Sequence, residues 1–85
     1  MKQMKYIIID NGMYDTPVIF DEATDHSCIA NALAGVNAPN VVSAGFVRFT
    51  PDGLVCYGKS TSLGIGSAGD VDSKLINKML GVHDD

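Results

Sequence analysis

The chain has 85 residues, 46% of them hydrophobic and 19% charged, enough for one small core and too short for two. Its formal charge is -4, and the cations Lys2, Lys5, Arg48, Lys59, Lys74 and Lys78 are scattered, which disfavours general DNA or RNA binding. No apolar stretch approaches the roughly 20 residues of a membrane span, and the N-terminus shows no signal peptide, so a cytoplasmic domain is expected.

The first element is the β-branched and aromatic run Tyr6-Ile7-Ile8-Ile9, stopped by Asp10-Asn11-Gly12. Asn-Gly marks a turn because both residues tolerate positive φ. After Tyr14 and Pro17 comes Val18-Ile19-Phe20, and the two runs read as an antiparallel hairpin with an irregular tip. Thr24 or Asp25 then offers an N-cap, and Cys28, Ile29, Ala32, Leu33 and Val36 follow at the spacing of one helical face. Gly35 and Asn37-Ala38-Pro39-Asn40 end that helix. Val41 to Thr50 alternates as a strand, Pro51-Asp52-Gly53 turns it, and Leu54-Val55-Cys56-Tyr57 returns. A bend at Gly58 is expected before the chain continues through Ser60 to Ile65. Asp70 reads as the N-cap of a last helix with the apolar face Val71, Leu75, Ile76, Met79 and Leu80, closed by Gly81. Residues 82–85 are expected to fray.

The order predicted is ββαββα: a single α+β domain with a four-stranded antiparallel sheet and two helices packed on one face. A domain this small gains from self-association, so a homo-oligomer is expected.

Several motifs fail on context. Gly53-Leu54-Val55-Cys56-Tyr57-Gly58-Lys59-Ser60 fits the phosphate-loop pattern, but its middle consists of strand residues and no helix begins at Ser60. Gly64-Ile65-Gly66-Ser67-Ala68-Gly69 fits the dinucleotide fingerprint, yet only one helix and a short tail follow it. His26, Cys28, Cys56 and His83 contain no zinc knuckle, and both cysteines read as small buried side chains; no metal or cofactor is expected. No general base is placed against a nucleophile, so the chain is not expected to be an enzyme.

What remains is a concentration of polar and cationic groups around the second hairpin. Arg48, Tyr57, Lys59, Ser60 and Ser62, with the exposed-looking His26, form the candidate ligand-binding set, because Arg forks and hydroxyls together can hold a carboxylate or phosphate. The bland alternative is a solvated strand edge that resists aggregation.

Val18-Ile19-Phe20, His26, Ser43-Ala44-Gly45-Phe46 and Tyr57-Gly58-Lys59-Ser60-Thr61-Ser62-Leu63 together resemble short bacteriophage and prophage proteins. The segment from Asn11 to Thr16 is longer than in that pattern. The resemblance implies a phage or mobile-element setting, hence a host cytosol, and brings no activity with it. The reading that follows is a binding module for a host protein or a small anionic ligand. The runner-up is an assembly protein that pairs copies through the edge of the second hairpin.

Overall fold

The computed structural model describes residues 3–10, 12–13, 15–37 and 40–81; in helical residues 33–37 and 80 only the backbone is described. Strands β1 (Met4–Asp10) and β2 (Asp15–Asp21) form the first hairpin, followed by helix α1 (His26–Asn37) and strands β3 (Asn40–Thr50) and β4 (Gly53–Tyr57). Two short strands, β5 (Lys59–Ser60) and β6 (Ile65–Gly66), precede helix α2 (Asp70–Leu80). Both predicted hairpins and both helices are present, but a further two-stranded piece stands between β4 and α2. The order is therefore longer than ββαββα. Asn11, Tyr14, Ala38, Pro39 and the expected frayed tail lie outside the described residues.

The main sheet runs β2-β1-β3-β4, antiparallel throughout. Tyr6, Ile7, Ile8 and Ile9 are all buried, which is why a four-residue apolar run takes a central position. Successive side chains of a strand point to opposite faces. Tyr6 and Ile8 accordingly share one cluster with Val47, Leu54, Cys56 and Ile76, while Ile7 and Ile9 share another with Ala44, Ile29, Leu63 and Ile65. Ile76 belongs to α2 and Ile29 to α1. The helices thus cover opposite faces, correcting the expectation of two helices on one face. An apolar run buried on both sides carries no preference between the two packings.

α2 lies along the β4 edge, and the residues it turns inward are largely polar. Asp72 is 3% exposed while Val71 is 69% exposed and Met79 52%, so of the predicted apolar face Leu75 and Ile76 reach the core and Val71 and Met79 turn outward. Gly69, not Asp70, precedes the helix as its N-cap; Gly81 closes it in the left-handed conformation, as expected. Asn77 accepts from Leu54 N (2.9 Å) and donates to Leu54 O (3.0 Å), and Ser73 Oγ accepts from Cys56 N (2.8 Å). In an antiparallel edge strand, alternate residues point both backbone groups outward. Both groups of Leu54 and the amide hydrogen of Cys56 are already bonded to α2. A second copy pairing along this edge, as the assembly reading requires, would first have to break those bonds. The opposite edge carries Pro17, which lacks an amide hydrogen, between acidic residues at both ends of β2.

Tyr6 sends its hydroxyl through the core to the start of α2. The oxygen lies 2.5 Å from Asp72 Oδ2 and 2.6 Å from Ser67 Oγ. With one proton to give, it donates to the carboxylate and accepts from the serine. Burial pushes Cys56 up from near 9 to about 11, and burial together with the Asp72 hydrogen bond raises Tyr6 well above its ordinary value. Both groups hold their protons to higher pH in the folded chain than in the unfolded one. Stability should then be full below about pH 9 and fall as pH rises through 11, since the unfolded state ionises first. Once unfolded Cys56 has ionised, the slope is about 1.4 kcal/mol per pH unit, and Tyr6 adds to it at higher pH. Urea midpoints at pH 7, 9, 10 and 11 measure this, and a flat profile would contradict it. Among the described residues, no helix is long and apolar enough to cross a membrane.

Candidate functional site

α1 connects β2 to β3 across the face formed by Lys5, Ile7 and Ile9, but covers only one end of it. The other end stays open. The strand register sets Lys5 opposite Phe46 and Phe46 opposite Tyr57, with Arg48 opposite Val55. Gln3, Glu22, Arg48, Thr50 and Tyr57 line a groove of about 560 Å³ on this open half. Lys5, Asp25, His26, Phe46, Lys59 and Ser62 line a second groove of about 390 Å³ beside the first turn of α1. The stacked rings of Phe46 and Tyr57, 5.9 Å apart at 29°, stand between the two.

His26 is held from three sides. Its ring makes edge contacts with Phe20 (5.5 Å) and Phe46 (5.8 Å), and Nε2 lies 2.7 Å from Gly45 O. A carbonyl only accepts, so Nε2 carries a proton and donates it to Gly45 O. At 4% exposed, His26 is not the surface residue expected from its place at a helix start. Two aromatic neighbours and a backbone acceptor compensate its burial. Cys28, expected on the buried face of α1, is instead exposed, because the face set by His26 and Ile29 turns it outward. Cys56 is buried beneath the opposite face of the sheet, so the two cysteines share no site. His83 lies outside the described residues.

The loop beyond β4 supplies the other wall. Gly58 takes a positive φ of 78°, which turns the chain off the sheet edge so that Lys59 faces the second groove. Ser62 Oγ accepts from Ser27 N at 3.2 Å, tying the loop to the first turn of α1. Ser60, one of the predicted ligand residues, is fully buried. Its Oγ accepts from Leu63 N (3.2 Å) and lies 3.4 Å from Ser62 Oγ, so it holds the turn and presents nothing to solvent. Of the six candidates, His26, Lys59 and Ser62 meet at one groove and Arg48 and Tyr57 at the other. Lys5 was missed by sequence reasoning. Its Nζ donates to Thr24 O at 3.0 Å and lies 4.0 Å from Asp25 Oδ1, which fixes the ammonium at the groove. The only sequence signal for it was its alternation with Ile7 and Ile9.

The open half-face thus offers three cations and a stacked aromatic pair in a chain that is acidic overall. No group of three or more His, Cys, Asp or Glu side chains among the described residues is arranged to hold a metal ion. No family model matches the chain, and comparison with curated proteins and with solved structures likewise gives no match.

Proposed function

We propose that this domain is a non-catalytic binding module that takes a small anionic ligand on the open half-face of its sheet. The observation that carries the reading is the convergence of Lys5, His26, Lys59 and Ser62 on one groove from three separate parts of the chain: β1, the start of α1 and the loop after β4. Two lysines face a single carboxylate there, Asp25, whose side chain is largely exposed and so weakly paired with Lys5. A phosphate or carboxylate would find charge-assisted donors at Lys59 and Lys5 and a hydroxyl at Ser62. A carboxylate presented by a host protein would meet the same groups. In a phage setting the role would be that of an accessory or anti-defence factor acting in the host cytosol.

Native mass spectrometry of gently purified protein, followed by an NMR titration with inorganic phosphate, tests this reading. The expected result is shifts confined to the groove, with affinity at least fivefold lower in Lys59→Ala. Lys59 is exposed and outside the core, so the variant should fold normally. Phosphate shifts unchanged in Lys59→Ala would sink the assignment. The assembly reading is less well supported, since α2 already engages the outward groups of the β4 edge.

A further inference from the structure

Resting on that anion-binding reading, we infer that the ligand is a nucleoside monophosphate: its phosphate in the Lys5–Lys59–Ser62 groove and its base against Tyr57 in the adjoining groove. Two features beyond the cations point to a heteroaromatic ring. The first is Tyr57 itself. It is 37% exposed on an edge strand, yet its ring is fixed at both ends, with Phe46 stacked beside it and its hydroxyl bonded to Gln3 Oε1. An exposed aromatic side chain already ordered in this way loses little entropy when a second ring stacks on it. Base–aromatic stacking of this kind is worth a large part of the affinity in sheet-face nucleotide sites.

The second feature is the polar rim. Arg48 lies over the Tyr57 ring at 5.6 Å from the centroid, wider than van der Waals contact, on a long exposed side chain that can close onto an incoming ring. Gln3, Glu22 and Thr50 line the same groove. Arg48 and the Gln3 amide nitrogen offer donors and the Glu22 carboxylate offers acceptors, matching the mixed edge of a nucleobase, while the Thr50 hydroxyl is engaged by Gly53 O and Asp52 N. A plain aryl anion would leave that rim unpaired. A polymer is disfavoured for a different reason, because three cations in an acidic chain do not track a phosphate backbone.

The spacing suits a mononucleotide. Lys59 is two residues beyond Tyr57 in the chain, and Lys5 is directly opposite Phe46, the ring that stacks on Tyr57. Base and phosphate sites are therefore neighbours across one aromatic pair.

Calorimetric and NMR titrations with adenosine 5′-monophosphate, guanosine 5′-monophosphate and ribose 5-phosphate test the inference. At least one nucleotide should bind ten or more times tighter than ribose 5-phosphate. Tyr57→Ala should erase that ratio while leaving ribose 5-phosphate affinity unchanged, and Lys59→Ala should weaken both compounds and preserve the ratio. Tyr57→Leu serves as a second variant that keeps bulk on the edge strand without a ring. Equal binding of nucleotides and ribose 5-phosphate would overturn the base site alone and leave the anion groove standing. Shifts from neither compound would overturn both readings. An oligonucleotide bound far more tightly than either mononucleotide would overturn the mononucleotide in favour of a strand.

Discussion

Replacing Asp72 by Ala is expected to cost about 3 kcal/mol, a large share of what a domain of this size possesses. The carboxylate is 3% exposed, and its Oδ2 accepts from the Tyr6 hydroxyl and from Ala68 N (2.9 Å). Removing it leaves two donors without their acceptor, one of them in the centre of the core. The midpoint of thermal unfolding should fall by about 12–24 °C, given the usual response of domains this small. Asp72→Asn keeps an acceptor oxygen with two lone pairs at the same place, so its cost should be only about 1 kcal/mol. Tyr6→Phe should be intermediate, and the double variant Tyr6→Phe with Asp72→Ala should cost less than the sum of the singles, because each single strands the other partner. Calorimetric scans of the four variants decide the matter. An Asp72→Ala protein melting within a few degrees of the parent would show that the buried network does not hold α2 to the sheet.

That network also explains which parts of the fold could be read from the sequence. The hairpins were legible because Pro51-Asp52-Gly53 and the alternation beyond Val41 are local signals, decided by neighbours in the chain. The positions of the helices were not. Tyr6-Ile7-Ile8-Ile9 is apolar in both phases, so the face each helix takes depends on contacts made far along the chain. Leu75 and Ile76 of the expected α2 face do reach the core, whereas Val71 and Met79, which apolar periodicity also favours, do not. Ser73, Asp72 and Asn77 instead turn inward to satisfy Cys56 N, the Tyr6 hydroxyl and Leu54, a gain in hydrogen bonding that a hydrophobic pattern does not register. His26 follows the same logic at the start of α1. Part of the candidate site was legible as polar and cationic residue types concentrated around the second hairpin. Lys5 was not, since its place beside Lys59 and Phe46 follows from the β1–β3 register.

Gly45 joins the core to the open face, and Gly45→Ala should be the most damaging glycine-to-alanine change among the described residues. A Cβ built there would lie 2.5 Å from the Tyr57 carbonyl oxygen and 3.1 Å from Ser67 Cβ. Backbone cannot swing aside as a flexible side chain does. The obstructing carbonyl belongs to the residue paired with Phe46, just before the Gly58 bend, so relief means moving the end of β4 and the loop after it. Overpacking of this kind costs about 3 kcal/mol. Gly66→Ala is the matched control: its Cβ would meet only Lys59 Cβ at 3.9 Å, so its stability should stay within about 0.5 kcal/mol of the parent. Urea midpoints separate the two. The functional consequence follows from the same geometry, because the Gly45 carbonyl anchors His26 and the displaced strand end carries Tyr57. In conditions where Gly45→Ala remains folded, the His26 and Tyr57 resonances should move together, and nucleotide binding should weaken while Gly66→Ala binds as the parent does. Shifts confined to one of the two rings would mean that the two grooves are not mechanically joined through Gly45.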